Sequence, residues 1–215
     1  MSGLPEERRA SDASRRVVLV TGATGDTGRV VCAALTARGD TVLAVGTDAS
    51  RLEGVDAAER LVCDVTDRAA TDALAADVAT RHDRLDGILH LVGGWKPGWG
   101  DEVTDWLNAR LVNTLLNVSE AFETLLLAAR AGRLAIVSST VVTHDGPPSS
   151  AYAAAKLAAE SWVAQLNQRW MGSNAGAVTF VVRSIGDGEK ATPPSAAAIA
   201  LAESWEQPPG ARVLV

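Results

Sequence analysis

Short apolar runs alternate with longer amphipathic or alanine-rich segments from Arg16 to the end of the 215-residue chain. The runs are apolar at successive positions, as strands covered by helices on both faces must be. They predict seven strands, at residues 17–20, 41–45, 60–63, 87–92, 134–138, 177–182 and 212–215. The segments between them predict five helices, at about residues 27–38, 68–81, 101–131, 149–170 and 195–204. This alternation is typical of an α/β fold with a doubly wound parallel sheet of about seven strands.

The composition is that of a globular protein, with 47% apolar and 21% charged residues. No repeat, low-complexity linker or shift in composition marks a second domain. We therefore expect one catalytic domain over residues 16–215, with a shortened lid over its substrate site as argued below. The polar, arginine-containing residues 1–15 predict a disordered tail in front of that domain.

Charge and cysteine content exclude several classes of partner. The net charge of −6, without a basic stripe, argues against a nucleic-acid partner. No run approaches the roughly 18 apolar residues of a membrane span, and the first ten residues lack the apolar stretch of a signal peptide, so we expect a cytoplasmic protein without a membrane partner. The two cysteines, Cys32 and Cys63, are too few for a disulfide framework, and no cysteine–histidine spacing predicts a metal site.

A glycine-rich turn, Thr21-Gly-Ala-Thr-Gly-Asp-Thr-Gly28, joins the first predicted strand to the first predicted helix. Its three glycines allow a tight turn, a close approach of the backbone to a pyrophosphate and packing of the helix on the strand, while the helix N-terminus offers amide donors. In this strand–turn–helix context the motif predicts a Rossmann-type sheet that binds a dinucleotide. The residues assigned to the cofactor here are Gly22, Thr24, Gly25, Asp26, Thr27 and Gly28.

The end of the second predicted strand bears on the choice between NAD and NADP. In sheets that bind NAD, an acidic residue at this place binds the adenosine ribose and would repel a 2′-phosphate. In this chain the corresponding position is Gly46, followed by Thr47. Asp48 takes that role if the register differs by two residues, and Arg51 is within reach of a phosphate. We therefore favour NADP, with NAD as the alternative. Gly46 and Thr47 are assigned to the cofactor, as are Asp64 and Val65, which follow the third strand where a side chain could contact the adenine or cap the next helix.

Tyr152 and Lys156 lie one helical turn apart in an alanine-rich run, and Ser139 lies at the end of the fifth predicted strand. The spacing places the phenol and the ammonium on the same helix face. A phenol has an ordinary pKa of about 10, and a nearby cation stabilises the phenolate and lowers that value. A serine hydroxyl could polarise the same carbonyl oxygen that the tyrosine protonates. These three residues predict proton transfer to or from a carbonyl.

With these residues placed, the chain resembles the short-chain dehydrogenase/reductase family over residues 17–215. Asn113 falls in the helix where that family carries its fourth catalytic residue. The resemblance implies that Tyr152 is the general acid and that Ser139, also a substrate-binding residue, orients the carbonyl. It implies that Lys156 lowers the pKa of Tyr152 and holds the nicotinamide ribose, so that both residues also bind cofactor. Asn113 would support a water-linked proton path.

The chain departs from the common family pattern in its glycine spacing and after its fourth predicted strand. The spacing G-x-x-G-x-x-G is similar to that of extended and atypical members. Where common members have Asn-Asn-Ala-Gly, this chain has His90-Leu-Val-Gly93 followed by Gly94. This stretch resembles dihydropteridine reductases, although those enzymes generally lack the serine. By the same alignment Val92, Gly93 and Gly94 bind the cofactor.

A third departure follows the sixth predicted strand. The family usually has Pro-Gly and a substrate-covering loop there, whereas Arg183-Ser-Ile-Gly-Asp-Gly188 leads within a few residues to the last helix. We expect a short lid and assign the remaining substrate walls to Trp95 and Trp99, in the loop after the fourth strand. Packing or a subunit contact is the alternative task for both tryptophans.

The leading hypothesis is an NAD(P)-dependent oxidoreductase that transfers hydride between the nicotinamide and a small carbonyl or alcohol substrate, or a related C=N bond. The alternatives are a non-catalytic NAD(P)-binding regulatory protein, a dihydropteridine-reductase-like enzyme, and an enzyme that uses the cofactor for epimerisation or dehydration. The helices at residues 101–131 and 149–170 resemble those through which this family pairs subunits. We expect a homodimer or homotetramer with Trp162 or Trp170 near the contact.

Overall fold

A computed structural model describes residues 15–142 and 145–215 of the chain. Nearly all of the predicted tail, residues 1–15, lies outside the described residues. Seven strands form one parallel sheet in the order β3-β2-β1-β4-β5-β6-β7. They are β1 (Val17–Thr21), β2 (Thr41–Gly46), β3 (Glu59–Val62), β4 (Gly87–His90), β5 (Arg133–Ser139), β6 (Gly176–Val182) and β7 (Arg212–Leu214). The predicted doubly wound parallel sheet is confirmed.

The helices of the described residues are α1 (Asp26–Ala37), α2 (Ala49–Glu53), α3 (Arg68–Ala79), α4 (Asp101–Asn108), α5 (Thr114–Ala121), α6 (Glu123–Leu127), α7 (Ala151–Arg169) and α8 (Pro194–Ala202). A 3₁₀ turn follows at Ser204–Glu206. The short helix α2 is absent from the sequence prediction. It begins after Asp48, whose carboxylate accepts a hydrogen bond from the Arg51 amide at 3.0 Å. No helix of the described ranges combines the length and the apolar character needed to cross a membrane.

The prediction of one continuous helix over residues 101–131 is wrong. A π-helical turn, Ala109–Asn113, separates α4 from α5, and the chain bends again at Phe122 before α6. The hydroxyl of Thr114, the first residue of α5, donates a hydrogen bond back to the Arg110 carbonyl of this turn at 2.6 Å. The apolar pattern continues through both interruptions, so the sequence gives no sign of them. Single π-helical turns occur frequently at functional sites.

Both faces of the sheet are buried at its central strands, which explains why those strands are apolar at successive positions. Leu19 packs with Leu115 of α5 and Val163 of α7 on one face. Its neighbour Val18 packs with Val31 of α1 on the other face. From β1 the chain adds β2 and β3 on one side, and it then adds β4 and the later strands on the other side. The strand order therefore reverses between β1 and β4. A crevice opens beyond the carboxyl ends of strands at such a switch point, and ligands of these sheets bind there.

Candidate active site

Two adjoining cavities occupy this crevice. The larger, of about 1290 Å³, is lined by the glycine-rich turn, the ends of β2 and β3, and the π-helical turn. The smaller, of about 670 Å³, is lined by the end of β5, the start of α7 and the end of β6. They share lining residues from the turn, from the segment after β4 and from the segment after β6, namely Thr27, Leu91, Val92, Gly93, Gly94 and Ile185. The cavities therefore form one continuous cleft with two ends.

The glycine-rich turn has the close packing that its sequence predicts. Gly22 has a φ of +71°, and a Cβ on it would lie 2.8 Å from the backbone carbonyl of Leu91. A Cβ on Gly28 would overlap the carbonyl oxygen of Gly22. Gly25 caps α1 without a side-chain hydrogen bond, so the first amides of this twelve-residue helix lie beside the larger cavity. The predicted residues Gly22, Thr24, Gly25, Asp26, Thr27 and Gly28 all line it.

The end of β2 carries no acid toward this cavity. Gly46 and Thr47 line it, as predicted for the cofactor site. Asp48 does not line it and instead caps α2, with its pKa held below the ordinary value by hydrogen bonds from Ser50 and the Arg51 amide. Arg51 does line the cavity, and its Nη2 donates to the Thr24 carbonyl at 3.1 Å. This edge of the cavity therefore has a basic side chain and no acid from the end of β2.

The turn after β3 brings Asp64 and Val65 to the same cavity. The Asp64 carboxylate accepts hydrogen bonds from the Thr66 amide at 3.0 Å and its hydroxyl at 2.7 Å, which lower the Asp64 pKa. Capping of α3 falls to Asp67, which accepts from the Ala70 amide at 3.1 Å. Asp64 thus shapes the turn at the cavity wall and is not the helix cap.

The smaller cavity brings Ser139, Tyr152 and Lys156 together on one wall. The Ser139 side chain, at the buried end of β5, is hydrogen-bonded to that of Tyr152 in the first turn of α7. The Lys156 ammonium lies 5.8 Å from the centre of the Tyr152 ring and donates to the Val137 carbonyl at 2.7 Å. Two hydroxyl-bearing side chains and one ammonium-bearing side chain thus lie together on one wall of the smaller cavity.

The pKa of Tyr152 at this wall shifts in the direction opposite to the expected one. Burial raises the pKa of Tyr152 above its ordinary value, and the hydrogen bond with Ser139 opposes that rise. Burial lowers the pKa of Lys156 to about 8, against the opposing effect of Glu160. The net direction of the Tyr152 pKa is therefore opposite to the expected one, because burial of the phenol dominates.

Two predicted site residues stay outside the cleft. Asn113 ends the π-helical turn with an exposed side chain and lines neither cavity, whereas its buried neighbour Thr114 lines the larger one. Trp99 is 63% exposed and also lines neither cavity. Trp95, although 67% exposed, lines the smaller cavity. Of the two tryptophans in the loop after β4, only Trp95 therefore lies at the cleft, and the sequence alone does not distinguish them.

The remaining residues assigned to the cofactor lie at the cleft, and the lid is short as predicted. Val92, Gly93 and Gly94 line both cavities. Residues 183–193 alone connect β6 to α8, and they fold tightly, with the Thr192 amide donating to the Ser184 carbonyl at 2.9 Å. The smaller cavity therefore has a short lid.

Subunit pairing stays a prediction, but one of its assigned residues is unsuitable. Trp170 is 3% exposed and donates to Glu123 at 2.7 Å within the same chain. Trp162, half-buried, donates to the Ser119 hydroxyl at 2.9 Å. Both tryptophans thus have partners within their own chain, and Trp170 offers almost no surface to another one.

His90, for which the sequence predicts no role, lines the smaller cavity and connects three elements. Its Nδ1 lies 2.9 Å from the Thr21 hydroxyl of β1, and its Nε2 lies 3.1 Å from the Thr114 hydroxyl. Because Thr114 donates its own proton to the Arg110 carbonyl, Nε2 must donate and Nδ1 must accept. Burial lowers the pKa of His90 to about 3, so the ring is neutral. The sequence gives no local signal of this role, because the two hydroxyl partners lie 69 and 24 positions away along the chain.

Replacing His90 by leucine is expected to cost about 2–4 kcal/mol of unfolding free energy at pH 7.5, because two buried hydroxyls lose a partner. The depressed folded pKa means that this histidine stabilises the fold fully above about pH 6.5, and that its contribution is lost as the pH falls toward about 3. The cost of the substitution should therefore shrink by about 2 kcal/mol at pH 5.

Urea denaturation at the two pH values measures both effects. His90→Gln keeps one donor and one acceptor without titrating, so it should be less destabilised than His90→Leu at pH 7.5. A penalty for His90→Leu that does not change with pH would contradict a neutral, buried imidazole.

Comparison with known proteins places this geometry in context. Residues 16–186 match the profile of a family described as short chain dehydrogenase. A 3beta-hydroxysteroid dehydrogenase of Mediterraneibacter gnavus is 32% identical over 157 residues, which are 66% of this chain and 56% of that protein. A 2,3-dihydro-2,3-dihydroxybenzoate dehydrogenase of Bacillus subtilis is 26% identical over 156 residues, 67% of this chain and 60% of that protein. The match thus spans less than two thirds of either relative.

The fold also matches solved structures over nearly its whole length. The structure of a short chain dehydrogenase from Shigella flexneri, complexed with NADP, has a TM-score of 0.81 to this chain at 22% identity. The alignment covers 93% of this chain and 96% of that one. At this level of identity the likeness concerns the fold.

Proposed function

We propose, from the premise that this chain belongs to the short-chain dehydrogenase family, that it is an NADP-dependent oxidoreductase of a small carbonyl or alcohol substrate. Family membership supports NAD(P)-dependent oxidoreduction as the class of reaction. The observation that carries the finer proposal is the cleft itself, with Ser139, Tyr152 and Lys156 in one end and the glycine-rich turn in the other. The lining residues that the two cavities share leave these ends open to each other.

The residues of the larger cavity fit a dinucleotide. The missing Cβ atoms of Gly22 and Gly28 allow the tight turn, and nothing near Gly25 except the Gly22 carbonyl oxygen at 3.5 Å would meet a Cβ, which leaves its cavity side open. The first amides of α1 and the guanidinium of Arg51 offer donors to phosphate oxygens. A nicotinamide dinucleotide held by these residues would supply the hydride chemistry.

The residues of the smaller cavity provide the proton transfer. Because burial raises its pKa, Tyr152 keeps the phenolic proton at neutral pH and can give it to the carbonyl oxygen during reduction. The Ser139 hydroxyl can donate to the same oxygen and hold it in place. The Lys156 ammonium, charged below about pH 8, stabilises the phenolate that remains.

Binding titrations with NADPH and NADH, followed by turnover of a panel of aldehydes and ketones, test the proposal. The panel should include a quinonoid dihydropterin, because of the local resemblance after β4. We expect NADPH binding and carbonyl reduction. Dinucleotide binding without any turnover would instead favour the non-catalytic regulatory protein, and failure to bind either dinucleotide would overturn the proposal.

The preference for NADP is expected to depend on Arg51. Arg51→Ala should raise the dissociation constant of NADPH about 10-fold and leave that of NADH within about twofold, because only NADPH carries the 2′-phosphate. Arg29, which hydrogen-bonds the Arg51 carbonyl at 2.6 Å but does not line the cavity, provides the matched control. Fluorescence titration measures both constants.

A complementary variant adds an acid at the same edge. Thr47→Asp should weaken NADPH binding and leave NADH binding unchanged or improved. Gly46 is unsuitable for this test because a Cβ there would lie 2.8 Å from Cγ2 of Thr24. Equal effects of Arg51→Ala on the two dinucleotides would contradict the assignment of Arg51 to the phosphate.

A further inference from the structure

The smaller cavity differs in charge from the rest of the protein. Its described lining includes two cations, Lys156 and Arg183, and no carboxylate. The whole chain, by contrast, has 26 acidic residues against 20 lysines and arginines. A cavity lined by cations alone in an acidic protein attracts anions, since its walls focus the local field. The charge of this cavity is therefore a feature of the site and not of the composition.

Lys156 has a partner within the site, but Arg183 does not. The Lys156 ammonium donates to the Val137 carbonyl at 2.7 Å. The exposed Arg183 guanidinium forms no hydrogen bond, ion pair or ring contact with any residue of the described ranges. All of its donors are therefore available to a ligand in the cavity that it lines.

The register of the sheet places Arg183 next to the reacting groups. Ser139 of β5 pairs with Val182 of β6, and the Thr140 amide donates to the Val182 carbonyl at 3.0 Å. Arg183 follows Val182 directly, so it lies one residue beyond the pair that Val182 forms with Ser139. The Pro-Gly that the family usually has after this strand would supply no charge.

The other side of the cavity is apolar. Trp95 and Val141 line it with 67% and 41% of their surfaces exposed, and half-buried Ile185 joins them. A ligand that spans the cavity therefore meets a proton donor at one point, a free guanidinium at a second and an aromatic surface at a third. The short connection of residues 183–193 keeps this mouth open.

We propose that the substrate is an organic anion, a carbonyl or alcohol compound with an apolar body and a carboxylate that pairs with Arg183. The planar guanidinium can bind a carboxylate through two parallel hydrogen bonds, which fixes orientation as well as affinity. Trp95 packs against the apolar body, so that the carbonyl is directed to Ser139 and Tyr152. This inference rests on the proposed function for its reaction, but the anion site itself is measured by binding.

Pairs of carboxylates and their methyl esters test the charge without changing the carbonyl. Suitable pairs are 4-formylbenzoate with methyl 4-formylbenzoate, and a 2-oxo acid with its methyl ester, each measured in the presence of NADPH. In the wild-type chain we expect the carboxylates to bind and react at least about 10-fold better than the esters. Arg183→Gln should remove this preference, and Arg183→Lys should retain part of it.

Two controls separate an anion site at Arg183 from a general effect of surface charge and from a role in cofactor binding. Lys190 is an exposed cation on the same connection that lines neither cavity, so Lys190→Gln should leave the preference unchanged. The dissociation constant of NADPH should also stay within about twofold in Arg183→Gln. A loss of NADPH affinity with an unchanged substrate preference would assign Arg183 to the cofactor and overturn the inference.

The outcomes also distinguish this inference from the proposed function. Carboxylate binding that depends on Arg183, without turnover, would sink the oxidoreductase proposal and leave the anion site standing. Turnover of acids and esters with equal efficiency would sink the anion site alone. The anion site is also overturned if neither binding nor turnover prefers the carboxylate over its methyl ester in any pair.

Discussion

The Tyr152→Phe variant is expected to reduce carbonyl substrates about 100- to 10 000-fold more slowly than the wild-type chain. The substitution removes the phenolic proton and leaves the ring, which packs with Leu107, Leu111 and Ala155. The dissociation constant of NADPH should therefore stay within a few fold. Single-turnover measurements of hydride transfer and fluorescence titration of the cofactor check the two expectations.

The state of the phenol can be measured independently of turnover. The chain has one tyrosine, so the ultraviolet absorbance of phenolate reports Tyr152 alone. The titration should give a pKa above the ordinary value of about 10, because burial dominates the hydrogen bond from Ser139. Near-normal turnover by Tyr152→Phe would end the proposed mechanism, whatever the phenol pKa.

The central strands could be predicted from the sequence because both faces of the sheet are buried there. A strand in that position must be apolar at each residue, and β1 places Leu19 in one core and Val18 and Val20 in the other. The helices are harder to predict where their ends depend on tertiary contacts. The π-helical turn and the bend at Phe122 interrupt an apolar pattern that is itself unbroken, and α2 spans only five residues.

The site could be predicted where its geometry is local. Tyr152 and Lys156 are one helical turn apart, so a helix alone places them on one face. The hydrogen bonds of His90 join residues about 69 and 24 positions away along the chain, and only the folded sheet brings them together. The direction of the Tyr152 pKa depends on burial and on the hydrogen bond with Ser139, neither of which is visible in the spacing of Tyr152 and Lys156.

Lys156→Met is expected to lower carbonyl reduction at least about 100-fold and to weaken NADPH binding about 10-fold. Methionine keeps an unbranched side chain and removes the charge that, in the proposed mechanism, would stabilise the phenolate and hold the nicotinamide ribose. The helix should remain, since methionine is a good helix former. Stopped-flow kinetics and cofactor titration give the two values, and Lys190→Met, on an exposed lysine outside both cavities, is the matched control.

The pH dependence supplies a sharper test of the same residue. With its pKa lowered to about 8, Lys156 is charged below that pH and neutral above it. Wild-type reduction should therefore be maintained at neutral pH and fall as the pH rises through about 8, and Lys156→Met should lack this limb. The depressed pKa also means that the folded chain binds fewer protons than the unfolded chain between about pH 8 and 10.5, so wild-type stability contains a component that rises over this range. Loss of turnover without loss of cofactor affinity, or the reverse, would show that Lys156 performs only one of its two assigned tasks.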